Sequence, residues 1–170
     1  YDGPASVRYP RGSGVGVPMD ETIEALEIGK AEILREGSDV AILGIGSEVS
    51  YCVKAAERLA LEGVNVTVVN ARFVKPLDTE LILALARSHG AIVTAEDHYL
   101  MGGFGSAVME LLEEHHLNEV RVLRLGFPDK IIEHASQSLL LAKYGLDADG
   151  IYAQVRDFVA SKFSFEPVYR

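Results

Sequence analysis

The chain has 170 residues, 48% of them apolar, with 25 acidic against 16 basic side chains and a formal charge of −9. That length suffices for one domain with a real core, and the acidic balance argues against nucleic acid or anionic membrane as main partner, because both need a basic face. No apolar run reaches the roughly 18 residues of a membrane helix, and the single cysteine, Cys52, permits no internal disulfide, which fits a reducing compartment.

In chain order, the opening Tyr1-Asp2-Gly3-Pro4 carries neither an initiator Met nor a signal pattern, so the sequence reads as a piece of a longer protein. Ala5 to Tyr9 has the character of one short strand. Arg11 to Pro18 is glycine-rich and reads as a connector. Residues 1–20 are therefore expected to be the tail of a preceding domain plus a linker, and residues 21–170 the domain proper. Ile28 to Leu34 and Val40 to Ile45 are strand-like and separated by Glu36-Gly37-Ser38-Asp39, which predicts a hairpin.

Ser47 to Leu61 places Val49, Cys52, Val53, Ala56, Leu59 and Ala60 at helical spacing, and Gly63 ends it. Cys52 falls on that apolar face, as a structural thiol would. Val64 to Ala71 is a β-branched run, hence a buried strand. Pro76 and Asp78 open a helix that Gly90 closes.

Ala91 to Ala95 is the next strand. Glu96-Asp97-His98-Tyr99 follows it, and Gly102-Gly103-Phe104-Gly105 leads into a helix with an inner face of Phe104, Ala107, Val108, Leu111 and Leu112. Val120 to Leu125 is the last strand. Two helices close the chain: Ser136 to Tyr144, ended by Gly145, and one after Asp147 with a stripe of Ile151, Val155, Phe158 and Val159. Strands alternating with helices imply parallel pairing and right-handed crossovers. The expected fold is a three-layer α/β domain, a mostly parallel sheet of about five strands with one antiparallel edge strand and helices on both faces.

Several groups invite a chemical reading. Gly44-Ile45-Gly46-Ser47-Glu48 lies at a strand-to-helix junction, where anions bind in doubly wound sheets. The third glycine of a dinucleotide fingerprint is missing, since position 49 is Val. The bland alternative is a tight turn with Ser47 as N-cap and Glu48 favouring the helix dipole. Arg8, Arg11 and Arg72 are candidates for phosphate, Arg11 because neighbouring glycines allow close approach; each equally suits a surface ion pair. His89, His98, His115, His116 and His134 form no metal-ligand spacing. Glu96, Asp97 and His98 fit acid–base work, a solvated loop or a subunit contact.

Taken together, Val7-Arg8-Tyr9-Pro10-Arg11-Gly12, Asn70 to Asp78 (N-A-R-F-V-K-P-L-D), Glu96-Asp97-His98 with Gly102 to Ala107, Phe127-Pro128-Asp129 through His134, and Gly145 to Ile151 resemble the C-terminal domain of the 1-deoxy-D-xylulose-5-phosphate synthases. The looser transketolase superfamily pattern, shared with transketolases and 2-oxo-acid dehydrogenase β-subunits, is the alternative. The resemblance implies a whole enzyme that uses thiamine diphosphate and Mg²⁺ to join pyruvate to D-glyceraldehyde 3-phosphate with loss of carbon dioxide, as a homodimer. It implies a cytoplasmic location, or the plastid stroma in a plant or alga. It places cofactor and metal in upstream domains, with none expected here and no catalytic residue in this chain. Arg11 matches the arginine that grips the aldehyde's phosphate. Arg72, Glu96, Asp97, His98, Gly102 and Gly103 are expected at contacts with the upstream domains or a second subunit. A pure interaction module and a nucleotide site at Gly44 to Ser47 remain the competing readings.

Overall fold

The computed structural model describes residues 1–9, 14, 16 and 21–161. The elements in order are β1 (Glu32–Arg35), β2 (Val40–Gly44), α1 (Glu48–Leu61), β3 (Val66–Asn70), α2 (Thr79–His89), β4 (Ala91–Tyr99), α3 (Phe104–Glu114), β5 (Arg121–Phe127), α4 (Gln137–Tyr144) and α5 (Ala148–Ala160). They build one five-stranded sheet in the order β1-β3-β2-β4-β5, in which only the β1–β3 pair is antiparallel. The expected architecture is present.

Alternation along the strands sorts the core onto two faces. Val40, Ile42, Val66, Val68, Val93 and Ala95 point to one side and pack with Cys52, Leu59, Leu141, Ile151 and Val155. Ala41, Leu43, Val69 and Ile92 point to the other, against Ile82, Ala86, Phe104, Val108 and Leu112. Thus α1, α4 and α5 cover one face while α2 and α3 cover the other. The helices start and stop where their end residues dictate. Asp78 accepts from Leu81 N at 3.1 Å and from Ala31 N at 3.0 Å, and Asp147 accepts from Gly150 N at 2.8 Å. Each such cap is worth about 1 kcal/mol. Gly90 and Gly145 close α2 and α4 in the left-handed conformation.

Four expectations need correction. Ala5 to Tyr9 is not a strand; the segment is irregular and exposed. The first strand begins at Glu32, because Ile28 and Gly29 form a turn beside Pro76, closed by Lys30 N donating to Glu27 O. β1 and β2 do not form a hairpin, since β3 lies between them. Their connection hooks under the start of β3: Ser38 N and Asp39 N both donate to Asn65 O, at 3.1 and 2.9 Å, and Asn65 N donates to Asp39 Oδ2 at 2.6 Å. Gly37 makes the hook possible, because a Cβ there would lie 2.6 Å from Asn65 O. Finally, Glu96 to Tyr99 is not a loop but the end of β4. The ladder to β5 is irregular after Ala95 and resumes at Tyr99 opposite Phe127. Gly126 on β5 allows this, since a Cβ there would sit 2.9 Å from His98 O.

Candidate functional site

In a doubly wound sheet the ligand crevice opens at the carboxyl ends of the strands where the winding reverses. Here that point lies between β2 and β4. Ile45 N donates to Ala95 O at 3.0 Å and stitches the two strand ends together. Beyond it stand the Gly44–Ser47 turn, the extension of β4, the glycine loop and the end of β5.

Glu96 is buried, and both its carboxyl oxygens are used. Oε2 accepts from Phe104 N at 2.6 Å and Oε1 from Gly105 N at 2.8 Å. A carboxyl from the preceding strand thus caps α3, a helix whose own N-cap, Gly103, has no side chain to do so. The glycines follow from this closeness. A Cβ on Gly103 would overlap Glu96 Oε2 and the Tyr99 carbonyl, and one on Gly105 would come 2.5 Å from Thr94 Oγ1. Gly102 turns the chain at φ +69 and donates to Ser106 Oγ at 3.2 Å. Arg124 reaches across from β5 to Leu100 O and Ser106 Oγ, each at 3.0 Å, and locks the loop.

Asp97 is half-buried and lies near the start of α1, whereas His98 is exposed. The Asp97 main-chain oxygen accepts from Arg8 Nη2 at 2.5 Å, and His98 Nδ1 lies 3.1 Å from Tyr99 O. Two adjoining cavities, of about 470 and 460 Å³, share Arg8, Asp97, Phe127 and Leu140. His98, Tyr99 and Ile132 line the second, and Tyr9 and Gln137 the first. The outer wall is steadied by Glu133, which bonds Lys143 at 2.6 Å and Tyr144 at 3.2 Å; the Lys143 bond leads in drawing its carboxyl down to about 2.

Arg72 sits two strands away from β4, in the left-handed region at φ +56, and pairs with Glu32 of β1 at 2.6 Å. So Glu96, Asp97, His98, Gly102 and Gly103 come together, and Arg72 stands apart on the same strand-end edge. Arg11 lies outside the described residues.

One residue of consequence was misread from the sequence. Glu48 opens α1 but is wholly buried, and among the described residues neither carboxyl oxygen has a partner. Burial, then the nearby Asp97 and Asp147, push its carboxyl up to about 8. The signal was available: Glu48 is one helical turn before Cys52, on the inward stripe. Ser47 holds the N-cap position without a side-chain hydrogen bond. Three acids around this helix start work against an anion there, which weakens the nucleotide reading. Cys52 is buried as expected, and burial followed by Glu48 raises its thiol well above the usual range.

The family model for the transketolase C-terminal domain matches residues 29–151. This chain belongs to that family. As a transketolase C-terminal domain it is 58% identical over 159 residues to 1-deoxy-D-xylulose-5-phosphate synthase 1 of Geobacter metallireducens, covering 94% of this chain and 25% of that protein. It is 52% identical over 162 residues to the synthase 1 of Geobacter sulfurreducens, covering 95% and 25%. The domain therefore spans about a quarter of the length of the curated relatives it matches. Among solved structures, a split-gene transketolase described as an inactive β4 tetramer superposes with a TM-score of 0.74 at 38% identity, over 81% of this chain and 45% of that one. No helix among the described residues is long and apolar enough to cross a membrane.

Proposed function

We propose that this transketolase C-terminal domain is the last quarter of a 1-deoxy-D-xylulose-5-phosphate synthase, a cytoplasmic homodimer that condenses pyruvate with D-glyceraldehyde 3-phosphate and releases carbon dioxide. The observation that carries the reading is identity above 50% along almost the whole chain to proteins of that name.

The domain's part is to complete the edge of the active site and the contacts between domains and subunits. Glu96 supports this, because a carboxyl already bonded through both oxygens to the start of α3 is not placed for proton transfer. Exposed His98 and Tyr99 at the end of β4, with the exposed Ile131 and Leu139, supply a mixed polar and apolar surface suited to another domain. The whole enzyme would use thiamine diphosphate and Mg²⁺. Among the described residues no three His, Cys, Asp or Glu side chains are grouped to hold a metal ion, so the residues present here do not fit that site.

Arg11 is the residue assigned to substrate, as the grip on the aldehyde's phosphate. In the full-length enzyme, Arg11→Ala should raise KM for D-glyceraldehyde 3-phosphate roughly ten- to a hundredfold, the range expected for losing a charged hydrogen bond. The KM for pyruvate should stay within about twofold on the same ground, since pyruvate carries no phosphate. Unchanged aldehyde kinetics would leave the domain a contact module only.

A further inference from the structure

Glu48 has no role in the reading above, and its surroundings are unusual. Its carboxyl lies where α1, the end of β4 and the start of α5 converge. It has no exposed surface, and among the described residues neither oxygen has a hydrogen-bond partner. A buried ionised carboxyl without partners is strongly disfavoured, and such a group neutralises instead. The titratable groups facing it are Cys52, one turn along α1, Asp97 on β4 and Asp147 at the cap of α5. None supplies a counter-charge. Arg8 reaches the same strand end, but its bond goes to the Asp97 main-chain oxygen.

A cation is what this carboxyl lacks, and the geometry decides which one. Neither of the two cavities at the strand ends is lined by Glu48. The described residues offer no cluster fit for a metal. A side chain from outside would have to displace packed core to arrive. A proton needs no room.

We propose that Glu48 is a proton-binding latch, protonated while α1, β4 and α5 are seated together and surrendering its proton to water only as that junction opens. Ionisation puts a negative charge beside Asp97 and Asp147. It therefore loosens two things at once: the Asp147 cap, which holds Gly150 N, and the strand end against which the Arg8 segment rests. The latch couples proton release to the helix that closes the domain and to the place where the upstream chain enters.

The test uses the 170-residue chain and two readouts. Carbon-13 NMR of the glutamate carboxyls should show Glu48 titrating with a midpoint several pH units above the other glutamates. Amide exchange at Gly150 and Ile151, corrected for the intrinsic pH dependence of exchange, should lose at least tenfold in protection between pH 6 and 9. Glu48→Gln should hold that protection constant over the same range. A Glu48 midpoint in the ordinary carboxyl range would overturn the proposal, and so would an equal loss of protection in Glu48→Gln. If the Gln variant does not fold, Glu48→Met serves in its place, and the wild-type titration stands without either.

Discussion

At the scale of single residues, the glycine loop is set by one carboxyl. Gly103→Ala would drive a methyl into the Tyr99 carbonyl and into Glu96, which cannot retreat without releasing the α3 amides. The expected cost is about 2–4 kcal/mol, from steric overlap plus the lost capping bonds, visible as a lower urea midpoint with an unchanged slope. Glu48 supplies a second expectation. Its folded carboxyl is raised to about 8 while the unfolded group keeps the usual 4.5. The folded state therefore holds the extra proton, and stability is fully present below the unfolded value. It falls as pH climbs between the two values, at up to about 1.4 kcal/mol per pH unit, and levels beyond the folded one. Chemical denaturation from pH 5 to 9 should show that decline in the wild type and a flatter curve in Glu48→Gln. The motif of glycines was legible in the sequence. The inward turn of Glu48 was missed because a first-turn acid ordinarily serves the helix dipole from the surface.

At the scale of elements, the sequence pattern located every helix start within a residue or two, and caps and glycines punctuate two helices at both ends: Asp78 and Gly90 for α2, Ser136 and Gly145 for α4. Strand partners were less legible. Four residues between two strand-like runs predict a hairpin, yet Glu36 to Asp39 bonds to Asn65 and carries the chain past β3. Such pairing depends on a strand thirty residues away, which local chemistry does not encode. The length of β4 was missed for a similar reason: Glu96 to His98 look like loop residues and are held extended by β5 and Gly126. Gly37→Ala tests the hook directly. A Cβ there meets backbone rather than a yielding side chain, so a loss of about 2 kcal/mol is expected, with exchange protection falling first in β1 and at Asn65.

At the scale of the whole molecule, the two core faces and the reversal of winding put the loops of β2, β4 and β5 at one end. The family resemblance was legible there in part, because two of its motifs, Glu96 to Ala107 and Phe127 to His134, sit at the ends of β4 and β5. Whether the end meets substrate or only protein is the question Arg11→Ala addresses. The opposite edge of the sheet holds a different consequence. β3 is Val-Thr-Val-Val-Asn, β-branched and uncharged, and among the described strands only the four residues of β1 cover its outer side. β1 itself carries half-buried Glu32 and Arg35 around the partly exposed Ile33 and Leu34. A charged, short strand is a poor template for further addition, whereas a bare β3 would be a good one. β1 is thus a guard against self-assembly as much as a part of the sheet. Removing residues 1–39 should leave helical content largely intact by circular dichroism while light scattering rises with time and concentration, and a monodisperse truncated chain would show that the edge needs no guard.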